Sequence, residues 1–230
     1  MTKEEKLIAE KERLRLMYEK QNEISGTGFP VFGIDEAGRG PLCGPVVAAC
    51  CLLDPGEEIL YLNDSKKIPE KKREQIFEEI TEKCIVYGIG TVSPERIDQI
   101  NILNATYEAM SDAFDDCIRK LSQNGTAVDE VLRSCVVLTD GNRAVPQISA
   151  KQITVVGGDA LCPSISAASI LAKVTRDRMM YRYDELYPEY GFGKHKGYGT
   201  REHIEALKKF GPTDIHRRSF IRKFVYGAEQ

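Results

Sequence analysis

The sequence has no long uninterrupted apolar run, and this absence argues against a membrane-spanning protein. A helix that crosses a bilayer needs about 18–20 consecutive apolar residues. The first 20 residues are too rich in charge for a secretory signal peptide. Internal repeats and low-complexity tracts are also lacking. With 230 residues, 42% hydrophobic content and a mean hydropathy of -0.33, the chain is expected to form a globular core in the cytoplasm.

The seven cysteines form no C-x-x-C pair, which argues against a zinc site. Most of them lie in apolar, strand-like segments, where cysteine behaves as a small hydrophobic residue. We therefore expect reduced cysteines in the core. Histidine is scarce, and its three copies, His195, His203 and His216, all lie in the C-terminal part of the chain.

Charge is unevenly distributed along the chain. Residues 173–230 contain 13 Lys and Arg against 8 Asp and Glu, whereas residues 1–172 contain 19 against 27. An acidic body beside a basic region is typical of an enzyme that holds metal ions and grips a polyanion. A solvated basic face without a ligand is the alternative explanation.

Hydrophobic periodicity predicts an α/β fold with a mixed sheet. Residues 1–26 form a charge-dense helix candidate, and SGTGFP links it to the core. The two strands that come first should pair antiparallel, because a short turn joins them. Further strands are predicted at 84–92, 134–140 and 153–156, and helices after Pro69, at 94–121 with a break near Asn101, at 164–187, at 200–210 and near 217–225.

Carboxylates follow three of the strand-like segments: Asp35 with Glu36, then Asp140, then Asp159. Strand ends in open α/β sheets converge on ligand sites, so these acids can meet in one place. Their mutual repulsion requires a cation nearby. Oxygen ligands without sulfur or histidine favour Mg²⁺ or Mn²⁺. Each acid taken alone could simply begin a turn.

The segments GIDEAGRGPLCGPVV, LNDSKKI, VLTDGN, GGD with SISAASILAKVTRD, and GFGKHKGYGTREH resemble the ribonuclease HII family in order and spacing. The resemblance covers about residues 30–220. It implies a ribonuclease H-like mixed sheet flanked by helices, with a helical C-terminal region. It also implies a metal-dependent endoribonuclease that hydrolyses the RNA strand of RNA/DNA hybrids. Such an enzyme nicks 5' to single ribonucleotides in duplex DNA and leaves 3'-hydroxyl and 5'-phosphate ends.

The same resemblance assigns roles to individual residues. The four acids take the catalytic and metal-binding positions, with two divalent ions in the reacting complex. The backbone of the Gly-Arg-Gly segment reads the ribose 2'-hydroxyl, and a tyrosine packs near the next sugar. These positions are Asp35, Glu36, Asp140 and Asp159 for the acids, Gly38, Arg39 and Gly40 for the segment, and Tyr198 for the tyrosine.

Other polar residues near these motifs are candidates for phosphate contacts, which position a duplex without reading its bases. The alternative for each is an ordinary surface side chain, and Arg176 with Asp177 could be a structural ion pair. His195 and His203 could act as metal ligands or as a general base, but the acids suffice for that chemistry. The candidates are Ser65, Lys66, Ser164, Lys173, Arg176, Lys194 and Lys196.

We expect three parts: a charged arm (1–26), a catalytic core (30–187) and a basic C-terminal region that contacts substrate (188–230). The arm could extend the grip on substrate or merely pack on the body. The expected partners are RNA/DNA hybrid and ribonucleotide-containing DNA, bound by a monomer in replication and ribonucleotide excision repair, with any recruiting factor unidentified. The competing functions are a catalytically silent hybrid-binding module and a recombinase or resolvase of the same fold class.

Overall fold

The computed structural model describes residues 2–26 and 30–225. Half of the expected linker, residues 27–29, and the last five residues of the expected C-terminal region lie outside the described residues. The elements in chain order are α1 (Lys3–Ser25), β1 (Val31–Ala37), β2 (Val46–Leu52), α2 (Glu70–Lys83), β3 (Val86–Val92), α3 (Pro94–Gln123), α4 (Val128–Ser134), β4 (Val136–Asp140), β5 (Lys151–Val155), α5 (Gly158–Leu161), α6 (Pro163–Leu186), a 3-10 turn (Pro188–Tyr190), α7 (Phe192–His195), α8 (Arg201–Phe210) and α9 (Arg218–Val225).

The described strands form one mixed sheet in the order β3-β2-β1-β4-β5. β1 pairs antiparallel with β2 and parallel with β4, and β5 continues the parallel half. The predicted α/β fold and the antiparallel start are therefore confirmed. In the register, Ile34 lies opposite Thr139 on β4 and opposite Cys50 on β2.

Helices cover both faces of the sheet, which explains why β1 and β2 are almost entirely apolar. Phe32 and Ile34 pack on the α3 side, while Ala49 and Cys51 pack with α2 and α6 on the other. Gly33 allows α6 to approach β1, because a Cβ there would lie 2.1 Å from the Ser164 carbonyl carbon.

Helix α3 breaks at Asn101, as predicted. Asn101 has φ 65° and ψ 165°, and its side-chain oxygen accepts hydrogen bonds from the Leu103 and Asn104 amides. This residue therefore caps a second helical segment. Helix α4 was not predicted, and the predicted strand at 134–140 begins only at Val136, because α4 includes Ser134.

The charged arm, α1, packs on the body. Its narrow apolar stripe buries Leu14 and Met17, and the Gln21 side chain accepts hydrogen bonds from Ser164. All seven cysteines are free thiols. Within the described ranges, no helix combines the length and the apolar character that a bilayer crossing requires.

Candidate active site

Three aspartates meet at the carboxyl ends of the parallel strands. Asp35 lies in β1, Asp140 ends β4, and Asp159 lies in α5, directly after β5. Each offers a carboxylate oxygen within 4.8 Å of the other two. Parallel strands end at one edge of a sheet, so their register brings together residues that are far apart in sequence.

Glu36 is adjacent to Asp35 but faces the opposite side of the sheet, because successive strand residues alternate. Asp35 shares its face with Gly33, which contacts α6, whereas Glu36 shares its face with Ile34 on the α3 side. The Glu36 carboxylate accepts a hydrogen bond from Arg39 at 3.0 Å. The structure therefore clusters three of the four predicted acids, and the fourth lies beside them at the sheet edge.

Two cavities lie on either side of this edge. The α3-side pocket, about 380 Å³, is lined by Glu36, Arg39, Tyr107, Asp140 and Arg143 among others. The α6-side cleft, about 390 Å³, contains many of the other predicted site residues. Its lining includes Glu36, Gly38, Arg39, Gly40, Ser65, Lys66, Ser169, Lys173, Arg176 and Tyr198.

Electrostatics make the aspartate cluster a good fit for a divalent cation. Burial, followed by the negative charges of Glu36 and Asp140, raises the pKa of Asp35 well above its ordinary value. Burial and the Asp140 charge also raise the pKa of Asp159. A bound cation would offset both penalties, and hard carboxylate oxygens are the ligands that Mg²⁺ and Mn²⁺ prefer.

A buried polar layer supports Asp35 from the α6 side. The Ser169 and Ser65 hydroxyls form a hydrogen bond at 3.0 Å, and Arg73 donates to the Ser65 carbonyl at 2.5 Å. A hydrogen bond from Ser169 also favours the charged form of Asp35, against the effect of burial. Of these residues, only Ser65 was predicted as a site residue. Ser169 and Arg73 lie in ordinary helical sequence, which gives no sign of this role.

The 38–45 loop, which contains the Gly-Arg-Gly segment, wraps around two buried arginines. Arg176 donates to the carbonyls of Cys43, Pro45 and Lys196, and a Cβ on Gly38 would lie 2.1 Å from its Nε. Gly38 also has φ +96°, so only glycine suits this position. Arg217 was missed in the sequence because it stands in a basic run and looks like a surface residue. It donates to the carbonyls of Gly38, Arg39, Pro41 and Gly44.

Tyr198 lies beside the Gly-Arg-Gly segment. A Cβ on Gly40 would lie 3.6 Å from Tyr198 Cε1, and the Leu42 amide donates to the Gly197 carbonyl at 2.8 Å. The tyrosine is 47% exposed. Its ring is thus available in the cleft, while its backbone is tied to the loop.

A buried histidine pair holds the Tyr198 backbone. The Thr213 amide donates to His216 Nδ1, so His216 carries its proton on Nε2 and donates it to His203 Nε2 at 3.1 Å. His203 Nδ1 then donates to the Tyr198 carbonyl at 2.9 Å. Burial lowers the pKa of both histidines to about 4, so both are neutral near pH 7.

This pair also lies near the Cys43 thiol. One potential ligand atom of each of Cys43, His203 and His216 lies within 4.8 Å of the other two, a spacing that could suit a metal ion. The hydrogen bonds argue against that use, because they occupy both nitrogens of each ring. Burial raises the pKa of Cys43 to about 12, which disfavours the thiolate that a metal needs. His195 is similarly engaged, by the Tyr190 carbonyl and the Gly197 amide.

The predicted phosphate contacts have different surroundings. Lys66 is exposed, and although partial burial lowers its pKa, the charges of Asp35, Asp64 and Asp159 raise it by more. Lys194 is exposed as well.

The remaining candidates are engaged within the protein. Lys173 pairs with Asp177 at 2.6 Å, and Lys196 lies 3.7 Å from the Tyr181 ring centroid. Ser164 is buried and donates to Gln21. The Ser164 hydroxyl and the Arg176 guanidinium therefore form hydrogen bonds within the fold, and their contacts with substrate stay predictions.

Comparison with known proteins identifies relatives over nearly the whole chain. A family model described as Ribonuclease HII matches residues 32–223. Ribonuclease HII of Ruminiclostridium cellulolyticum is 49% identical over 217 residues, covering 94% of this chain and 80% of the relative. Ribonuclease HII of Endomicrobium trichonymphae is 55% identical over 192 residues, covering 84% and 85%. The crystal structure of ribonuclease H2 from Pyrococcus horikoshii OT3 has a TM-score of 0.61 at 27% identity, covering 85% of this chain and 97% of that chain.

Proposed function

This chain belongs to the ribonuclease HII family and is a ribonuclease H endonuclease, and from that premise we propose its substrate, its cofactor and the roles of its residues. It hydrolyses the RNA strand of RNA/DNA hybrids and nicks DNA 5' to an embedded single ribonucleotide. The products carry 3'-hydroxyl and 5'-phosphate ends. This reaction begins the removal of ribonucleotides from DNA.

The observation that carries the proposal is the position of the Gly-Arg-Gly segment beside the aspartate cluster. Gly38 follows β1 within three residues of Asp35, and Gly40 lies against Tyr198 in the α6-side cleft. A strand whose phosphate lies at the aspartates therefore places its neighbouring sugar at this segment. The 2'-hydroxyl distinguishes RNA from DNA at one position, so contact with one sugar is sufficient for recognition.

Asp35, Asp140 and Asp159 would hold Mg²⁺ or Mn²⁺, and Glu36 would complete the ligand set at the same sheet edge. When bound there, two such ions would supply activation of the attacking water and stabilisation of the leaving oxygen. Tyr198 packs on the sugar that follows the ribonucleotide. Base identity has little effect, because the proposed contacts are to sugars and phosphates.

Cations around the cluster position the phosphates. Lys66 is exposed beside three acids, and Lys194 is exposed four residues before Tyr198 in the sequence. Each acts as a point charge on a duplex backbone, without sequence preference. We expect binding through these residues to weaken as salt rises.

The test uses three duplexes of one sequence: all DNA, DNA with one ribonucleotide, and RNA/DNA hybrid, each with Mg²⁺, Mn²⁺ or EDTA. We expect one nick 5' to the ribonucleotide, cuts throughout the RNA strand, and an intact all-DNA duplex. EDTA should abolish both reactions. Binding without any nick would instead indicate a silent hybrid-binding module, and cleavage of the all-DNA duplex would indicate a recombinase-like nuclease.

A further inference from the structure

Arg217 forms hydrogen bonds to the backbone of the Gly-Arg-Gly segment from the protein interior. Its side chain is fully buried, and it forms no ion pair with a carboxylate within the described ranges. Instead, its Nη2 donates to the Gly38 carbonyl at 2.6 Å, and its Nη1 donates to the Arg39 and Pro41 carbonyls at 3.0 and 2.9 Å. A buried charge without a counterion is costly, so this arrangement calls for an explanation beyond packing.

Peptide geometry supplies the explanation. In a planar trans peptide unit, the carbonyl of one residue and the amide N–H of the next point in opposite directions. When Arg217 draws the Gly38 and Arg39 carbonyls inward, it turns the Arg39 and Gly40 N–H groups outward. Neither N–H has a hydrogen-bond partner in the part of the chain that the structure describes. Both residues line the α6-side cleft.

We infer that Arg217 is a positioning residue for ribose recognition: by holding the Gly38 and Arg39 carbonyls, it presents two amide donors to the 2'-oxygen of the substrate. The planar five-donor guanidinium suits this task, because one rigid group can bind several carbonyls in a fixed geometry. A lysine ammonium has three donors and no such plane. This inference rests on the proposed function, since it assumes that a ribonucleotide occupies the cleft.

Arg176, on α6, binds the same loop and provides a matched comparison. It is also buried, and where Arg217 binds four carbonyls it binds three, those of Cys43, Pro45 and Lys196. None of these carbonyls belongs to the two peptide units that orient the Arg39 and Gly40 amides. Loss of Arg176 should therefore loosen the loop without redirecting the proposed 2'-oxygen donors.

The experiment compares Arg217→Lys and Arg176→Lys with the unaltered protein. For each, we would measure Kd in EDTA for a duplex with one ribonucleotide and for the identical all-DNA duplex, together with Tm and incision rate. We expect both variants to lose several degrees in Tm. Only Arg217→Lys should lose preference for the ribonucleotide, with the ratio of the two Kd values falling at least about fivefold, as expected for about one hydrogen bond.

An unchanged Kd ratio in folded Arg217→Lys, or an equal fall in both variants, would overturn the inference while leaving the proposed function intact. An unaltered protein that neither prefers the ribonucleotide duplex nor incises it would overturn the proposed function itself. If Arg217→Lys does not fold, the unaltered protein provides a second measurement. Its Arg39 and Gly40 amide resonances should shift with the ribonucleotide duplex and not with the DNA duplex, and equal shifts with both would refute the inference.

Discussion

The aspartate cluster and the 38–45 loop lie side by side but are held in different ways. The aspartates gain their positions from sheet register, with Ile34 paired to Thr139 one residue before Asp35 and Asp140. The loop gains its shape from side chains far away in sequence, above all Arg217. The proposed chemistry therefore depends on backbone pairing, whereas the proposed recognition depends on a few buried polar groups.

The difference has an energetic side. The aspartate cluster destabilises the fold, because burial and neighbouring negative charges disfavour the ionised form of Asp35 and raise its pKa. The 38–45 loop is stabilised, because the buried guanidinium groups of Arg176 and Arg217 donate hydrogen bonds to its carbonyls. Changes in the cluster should therefore cost activity and increase stability, while changes around the loop should cost recognition.

The largest expected effect comes from Asp35→Asn. Incision should fall by at least about 100-fold, because a proposed metal ligand that would contribute several kcal/mol to the transition state is lost. In EDTA the variant should be more stable by about 1–2 kcal/mol, since a buried charge beside other acids is removed. Incision assays and urea unfolding check the two effects. Asp115→Asn, an exposed site on α3, serves as the control, and a destabilised Asp35→Asn would contradict the comparison.

Tyr198→Ala should have the next largest effect, and only on recognition. We expect about a tenfold fall in kcat/KM at a single ribonucleotide, consistent with loss of one stacking contact, and a smaller fall on long hybrids. Stability should change by less than about 0.5 kcal/mol, because the ring is 47% exposed. Tyr198→Phe should retain the preference. Equal losses on the two substrates would show that the tyrosine does not read the junction.

The last prediction concerns pH and the histidine pair beneath Tyr198, which should affect stability and leave incision near pH 7 unchanged. Burial lowers the pKa of His203 and His216 to about 4 in the folded state, below the ordinary value near 6.5. As pH falls, the histidines of the unfolded chain therefore take up protons before those of the folded protein. The contribution of the pair to the free energy of unfolding is constant above pH 6.5 and is lost as pH falls from 6.5 towards 4. The slope is at most about 1.4 kcal/mol per pH unit for each histidine.

Urea midpoints between pH 4.5 and 7.5 would measure this slope. The variant His216→Asn should reduce it, although its midpoint at pH 7 should be lower because the hydrogen bond to His203 is lost. A slope identical to that of the unaltered protein would mean that the pair is not neutral in the folded state.

The sequence alone was enough to predict the α/β fold, the antiparallel start and the break at Asn101, because each has a local signal. Asp35, Asp140 and Asp159 could be grouped because acids at the ends of apolar strands are rare and converge at one sheet edge. The short helix α4 was missed, since a seven-residue segment has little periodicity to read.

Only the tertiary structure decided how the remaining residues divide between the site and its support. It left Glu36 outside the close group of three aspartates, buried Ser164 against α1, and paired Lys173 with Asp177. It also brought Arg217 and the histidine pair under the recognition loop. The physical reason is range: hydrophobic pattern and turn chemistry act over a few residues, whereas the burial of a charge depends on which distant backbone groups can satisfy it.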